Sequence, residues 1–261
     1  MSYTTCKDYH AAELNFKEFV ETHFSHGDVS IIQETMCEPM KQLHEVFSSG
    51  MVKGNRMLAS SVGGIIYPLF SASKYFKEIH VIEFTDASVK HFNQWVENGD
   101  EATDWSFAAK FLSQLEGNEN GWEEKEEQTR TAVKGVFKYD LLDSNSTKLV
   151  TIPEVDCFLT VFLFNVICKT KEDFKNNVKS FTSSLKIGGH MVLILALDMT
   201  CYRVGDHKFS TLTVNEKFVK KVLTNTGFVI VKEVIMPTSK ENDLVDYKNM
   251  VCMVAQKVKK T

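Results

Sequence analysis

Several things that would place a chain quickly are missing from these 261 residues. No apolar run approaches the roughly 20 residues that a membrane span needs, so no membrane association is expected. The opening residues hold no apolar h-region, and no signal peptide is expected. There is no excess of basic charge: the net charge is −4 and the pI about 6.1, which leaves no field for nucleic acid. The Lys-Val-Lys-Lys end at 257–260 reads as a solvated tail. Six cysteines (Cys6, Cys37, Cys157, Cys168, Cys201, Cys252) are scattered without a C-x-x-C pair. That pattern fits a reduced cytoplasmic protein whose thiols are mostly buried as small hydrophobes. Motifs H-E-x-x-H, G-x-S-x-G and the P-loop G-K-[ST] are absent. The eight histidines share no metal-ligand spacing with the cysteines, so no metal is expected. With no repeat and no Pro/Gly/Ser linker, residues 1–261 read as one domain.

What is present is a regular alternation of element types. Residues 7–24 and 29–47 carry apolar side chains at helical spacing. Short apolar runs then follow at 57–61, 78–84 ("EIHVIEF"), 136–140 ("VFKYD"), 155–164 ("VDCFLTVFLF") and 190–197 ("HMVLILAL"), separated by helix-length segments. Runs with little polar alternation are what a parallel sheet covered on both faces requires. The predicted fold is α/β, a doubly wound, seven-stranded, mostly parallel sheet. Its last pair, 229–236 and 250–257, has too short a connection for a helical crossover, so its final strand is expected to be antiparallel. Residues 1–50 form an N-terminal helical lid, and a hairpin is inserted at about 198–212 around Val-Gly-Asp. The acidic run 123–127 reads as a solvated helix face.

In an open parallel sheet ligands sit past the carboxyl ends of the strands, so the strand-end residues are the ones to examine. The first strand runs into Ser61, Val62, Gly63 and Gly64, where glycine lets a ligand approach the backbone and a helix start offers free N–H groups. The same glycines would also serve tight packing of helix on strand. Glu83 ends the second strand, twenty residues past Gly63, where a carboxylate can accept two hydrogen bonds from a ribose diol. The alternative is a solvated strand-end carboxylate. Asp140, ending the third strand before Leu141, fits an adenine amino group and ring face, or a simple turn. Together the three positions point to a nucleoside-type ligand.

The chain resembles the small-molecule N-methyltransferases that use S-adenosylmethionine, the nicotinamide, phenylethanolamine and indolethylamine N-methyltransferases. The resemblance runs from about Tyr9 to Gln256 and is carried by "VKG" (52–54), "FKEI" (76–79), "DWS" (104–106), "LEGN" (115–118), "VDC" (155–157), "SLKIGG" (184–189) and "KFS" (208–210). It implies a class I methyltransferase (Rossmann-like) sheet with S-adenosylmethionine over its first strands. Carried over by position, Gly63, Gly64 and Tyr67 lie in the cofactor loop, Glu83 binds the ribose, Thr85 and Ser88 lie beside it, Asp140 and Leu141 frame the adenine, and Val161 completes the set. Phe19, Phe24, Asn165, Leu195, Tyr202, Thr211 and Lys240 fall on the acceptor side.

Several of these positions depart from the pattern. Ala59 and Ser61 stand where the family has an acid and the first loop glycine; losing the acid removes an acceptor, at about 1–3 kcal/mol. Phe19 and Phe24 replace tyrosines, Asn165 replaces an acid, and Leu195 replaces an aspartate of nicotinamide- and amine-methylating members. Lys240 adds a cation. The expected function is methyl transfer to a nitrogen of a small aromatic or amine acceptor other than nicotinamide. The candidates for a catalytic role are Tyr202 and His23, the only lid group that titrates near neutral pH, although an exposed helix histidine would read the same way. The other reading is a scaffold that has weakened or lost the cofactor and handles a different small aromatic ligand; a protein valued for its abundance alone is a third. A monomer is expected.

Overall fold

The computed structural model describes residues 2–3, 15–25, 28–139, 152–238 and 242–259. The chain begins with β1 (Ser2–Tyr3) and α1 (Phe16–Val20), which widens into a π turn at Glu21–Ser25. Next come α2 (Val29–Ile32), a second π turn at Gln33–Cys37, and α3 (Glu38–Ser48). The sheet starts with β2 (Arg56–Ser61), α4 (Tyr67–Ala72), β3 (Glu78–Glu83) and α5 (Asp86–Val96). It continues through α6 (Ser106–Leu115), α7 (Trp122–Ala132), β4 (Val133–Lys138), β5 (Val155–Val161), α8 (Phe164–Ile167), α9 (Lys171–Phe181) and β6 (Leu185–Leu197). A hairpin of β7 (Cys201–Val204) and β8 (His207–Ser210) precedes α10 (Glu216–Asn225), β9 (Phe228–Pro237) and β10 (Asn249–Lys257).

Seven strands form one sheet in the order β4-β3-β2-β5-β6-β10-β9, all parallel except β10, which runs antiparallel to both its neighbours. The expected fold and its antiparallel final strand are therefore present. The hairpin stands apart, with β1 parallel to β8 in a small three-stranded sheet. Alternation along each central strand divides the core in two. Met57, Ala59, Val192, Ile194 and Ala196 face the N-terminal helices, α4 and α6, while Leu58, Met191, Leu193, Leu195 and Leu197 face α9 and α10. Helix starts are set locally. Thr85 and Ser88 make a reciprocal capping box on α5, Thr170 and Asp173 one on α9, and Asn215 caps α10.

Some boundaries differ from those read in the sequence. β4 begins at Val133, straight out of α7, rather than at 136. β5 stops at Val161 because Phe162 takes a left-handed φ of 55° and turns the chain into α8. α4 starts at Tyr67, with Pro68 in its first turn, where a missing N–H costs nothing. The "KIGG" segment lies inside β6. There the pairing with β5 jumps from Val155–Leu185 to Cys157–His190, and Gly188 takes φ 85° to absorb the extra residues.

Asp156 ties the amino edge of the sheet together. Its Oδ2 accepts the Asn55 and Arg56 amides at 2.8 and 3.0 Å, and Lys186 donates to Oδ1 at 2.6 Å. A Cβ on Gly54 would collide with this side chain, which accounts for the glycine of "VKG". Burial pushes the Asp156 carboxyl up, but Lys186 and the two amides outweigh it and hold the group below its usual range. A carboxyl depressed in the folded state stabilises above its unfolded pKa and loses that effect as the pH falls. Asp156→Asn should lower stability by about 1–2 kcal/mol at pH 7 in urea titrations. The difference should shrink below about pH 4.

Candidate cofactor and acceptor site

The ends of β2 and β3 build one corner. After Ser61 the chain makes a 3₁₀ turn, Val62–Gly64, in which Gly63 and Gly64 both sit in the left-handed region, at φ 59° and 65°. Glycine adopts this without strain. A Cβ on Gly64 would lie 3.8 Å from Glu83 Oε1 and 3.4 Å from His91 Cδ2. Glu83 is 2% exposed, and its Oε1 has no hydrogen-bond partner among the described residues. Burial pushes its carboxyl up to about 8, against the opposing pull of the Ser88 hydroxyl. His91 is itself pushed down to about 4 by burial. Phe16, at the start of α1, stacks on the His91 ring with centroids 4.8 Å apart, so the N-terminal segment reaches this corner. A buried carboxyl oxygen without a partner, beside two glycines that place no side chain over it, is a position that a ribose diol would satisfy.

At the neighbouring end several polar groups are engaged within the chain, while Trp105 Nε1 and Asn165 Oδ1 are buried without a partner among the described residues. Tyr67 is fully buried against Phe24 and Trp105, and its hydroxyl donates to the Thr35 carbonyl at 2.8 Å. Burial holds that phenol well above its usual pKa. Ser60 donates to the Ile82 carbonyl at 2.9 Å, and Ala59 offers no polar atom. Thr85 and Ser88 are engaged in the α5 cap.

A cavity of about 50 Å³ lies over the ends of the central strands. Val62, Phe162 and Ala196 bring β2, β5 and β6 to its floor, and Phe19, Phe24 and Tyr202 supply aromatic walls. His23, Thr35 and Tyr247 complete its polar edge. His23 is buried, not exposed: its Nε2 bonds the Arg203 carbonyl of β7 at 2.7 Å. Burial lowers its pKa to about 4, more than the Arg203 carbonyl raises it, so it does not titrate near neutrality.

Of the positions identified in the sequence, the structure brings Gly63, Gly64 and Glu83 together at one corner, and Phe19, His23, Phe24 and Tyr202 around the cavity. Val161 lies buried at the end of β5, paired in register with Ser61 and Ile194. Leu195 does not reach the cavity: strand alternation turns it to the α9/α10 face and presents Ala196 instead. Thr211 bonds back to the Met199 carbonyl at 3.0 Å. Asn165 donates to the carbonyls of Ala196 and Leu212 at 2.9 and 3.3 Å. Asp140, Leu141 and Lys240 lie outside the described residues. Sequence reasoning missed Thr35, Phe162 and Tyr247. For Ala196 the signal was available in the alternation of β6; for Tyr247, in a loop, there was none. Among the described residues no three His, Cys, Asp or Glu side chains converge as metal ligands, and no helix is long and apolar enough to cross a membrane.

A family model described as the NNMT/PNMT/TEMT family matches residues 2–258. The chain belongs to that family. Among its relatives, indolethylamine N-methyltransferase of Oryctolagus cuniculus is 29% identical over 242 residues, covering 92% of each chain. Nicotinamide N-methyltransferase of Homo sapiens is 29% identical over 255 residues, covering 97% of each. A structural neighbour, magnesium protoporphyrin IX methyltransferase from Synechocystis PCC 6803 with bound SAM, aligns at a TM-score of 0.59 with 11% identity, covering 96% of this chain and 94% of that one. That likeness establishes the class I methyltransferase fold.

The Asn165 contacts give this NNMT/PNMT/TEMT member a structural reason for an amide where the resemblance implies an acid. Two carbonyl acceptors need a donor, and a carboxylate would face them with like charge. Asn165→Asp should destabilise the protein by about 1–3 kcal/mol at neutral pH. The loss should lessen in acid, where the new carboxyl is protonated, as thermal melts at several pH values would register.

Proposed function

We propose that the protein transfers a methyl group from S-adenosylmethionine to a nitrogen of a small acceptor other than nicotinamide. The observation that carries this is the Glu83 corner: a buried carboxylate oxygen lacking a donor, beside Gly64. Glu83 would hold the ribose hydroxyls, and Gly63 and Gly64 would admit the cofactor to the backbone. The sulfonium supplies an already activated methyl, so the chain's own work is to position the acceptor and exclude water. The apolar cavity does both. His23, neutral at pH 7, serves as a hydrogen-bond acceptor there rather than as a strong base, and Tyr202 packs beside it with ring centroids 6.4 Å apart. Both apolar clusters share the same central strands, which supports a one-domain reading of the chain.

A second reading, a scaffold repurposed for another small aromatic ligand, is favoured by the other end of the site. Tyr67 has its hydroxyl engaged by Thr35, Ala59 is apolar, and the cavity is small.

Calorimetric titration with S-adenosylmethionine and its demethylated product separates the two. The transfer reading expects binding, weakened by about 1–3 kcal/mol in Glu83→Ala; no heat at millimolar ligand leaves the second reading standing. Glu83 carries a proton below about pH 8 and the ribose hydroxyls favour the ionised form, so binding should expel a proton. Affinity should therefore rise with pH towards 8 and then level off.

A further inference from the structure

We propose that His91 is a cofactor-binding residue that shares the ribose diol with Glu83: its Nε2 bonds one of the two hydroxyls and Glu83 Oε1 the other, over the bare α-carbon of Gly64. This deepens the transfer reading and rests on it for the ribose being the occupant of this corner.

His91 is not among the positions that the sequence singled out, since a histidine inside a helix carries no mark of such a role. Its place in α5 supplies one. Residues three apart share a helix face. The capping box fixes Ser88 at the third position of α5, and His91 follows it on the same face. The Ser88 hydroxyl is the group that pulls against the burial of Glu83, so that face lies towards the end of β3. Gly64 approaches the same place from the loop after β2. Among the described residues, and its chain neighbours aside, a Cβ built on Gly64 would find only two atoms within 4 Å: His91 Cδ2 at 3.4 Å and Glu83 Oε1 at 3.8 Å. Nε2 is bonded to that same Cδ2, so the imidazole edge and the carboxyl converge on one spot beside the glycine.

The two groups leave a matching demand. Glu83 is 2% and His91 9% exposed, and neither Glu83 Oε1 nor His91 Nε2 has a hydrogen-bond partner among the described residues. Near as they are, they do not bond each other, which leaves both for a third group. A ribose brings two adjacent hydroxyls, each able to give one hydrogen and to accept another, so a diol meets both atoms at once. A ligand with a single hydroxyl would leave one of them buried and unmet. Burial keeps the imidazole uncharged above about pH 4, and a neutral ring nitrogen can give or take one hydrogen according to its tautomer.

Phe16 sets the ring in place. It is half-buried at the start of α1 and lies over the imidazole at an interplanar angle of 14°, with centroids 4.8 Å apart. Stacking occupies a face of the imidazole and leaves its edge, with Nε2, turned to other partners. The N-terminal segment therefore orients a binding group at the ribose corner, besides supplying Phe19, His23 and Phe24 to the cavity.

The test uses the full chain at pH 7.5, with S-adenosylhomocysteine by calorimetry and adenosine, 2′-deoxyadenosine and 3′-deoxyadenosine by ligand-observed NMR. Adenosine should bind the wild-type protein about fivefold or more tighter than either deoxy compound, one net hydrogen bond for each hydroxyl. His91→Phe keeps a flat ring for Phe16 and removes the nitrogen. It should weaken adenosine by about fivefold and abolish the preference for one hydroxyl while keeping that for the other, as a cycle between a side-chain group and its own partner requires. His91→Gln restores a polar amide and should recover part of the lost preference, which guards against the first variant failing to fold. A His91 that only packs α5 would weaken all three nucleosides alike. The proposal is overturned by such a uniform loss, by folded variants that keep both preferences, by a wild-type protein indifferent to the hydroxyls, or by the binding of no nucleoside. Any of these with S-adenosylhomocysteine still bound leaves the transfer reading standing. Discrimination through His91 without binding of S-adenosylhomocysteine would remove the transfer reading alone.

Discussion

The carboxyl of Glu83, held out of water at the end of β3 with one oxygen unfilled, is the constraint around which the site is arranged. Burying an ionised carboxylate without a partner is costly, and the fold tolerates it at neutral pH because the group keeps its proton up to about 8. A carboxyl whose folded pKa is raised stabilises most below its unfolded pKa, near 4.5, and that contribution drains away as the pH climbs through the folded value. The chain thus keeps an acid where an amide or an apolar residue would fold more easily. Such a residue is one of the places where folding and function are expected to conflict.

Around that corner the sheet explains why polar groups gather where they do. Strands β2, β5 and β6 are covered on both faces, so their side chains along the length must be apolar. Only past their carboxyl ends do backbone groups, loop side chains and the N-terminal helices meet. The two π turns are the counterpart on the N-terminal side. Each adds a residue to a helical stretch, and together they turn His23, Phe24 and Thr35 towards the strand ends. A lid of regular helices of the same sequence would aim these side chains differently.

Much of the fold was legible because the signals were strong and local. Buried strands announced themselves by unbroken apolar runs, and the short connection before β10 announced its direction. β4 was harder, since it begins without a break from α7 and no turn residue marks the change. The strand β6 begins before the apolar run at 190, because a left-handed Gly188 serves a bulge inside it and so hides its start in the sequence. In the site, Gly63, Gly64 and Glu83 could be picked out because backbone conformation and a strand-end acid leave marks in sequence. Tyr247 and Thr35 could not, since their roles arise only from the pairing of distant segments. Position alone also misplaced the weight on Leu195. A strand residue and its neighbour face opposite ways, and Ala196 is the one over the cavity.

The departures from the family pattern share a physical logic once their partners are known. Several polar groups near the strand ends are engaged from within the chain: the Tyr67 hydroxyl through Thr35, the Asn165 amide N–H groups through Ala196 and Leu212, His23 through Arg203. Each such bond ties the N-terminal segment, the hairpin, or the stretch after it to another part of the fold, and so stiffens the walls around the cavity. At the Glu83 corner, Glu83 Oε1 and His91 Nε2 both remain without partners among the described residues. Asn165 Oδ1 and Trp105 Nε1 are also buried without partners among the described residues, so unfilled groups are spread across the strand ends, and a donor reaching Glu83 Oε1 would offset the cost at that corner.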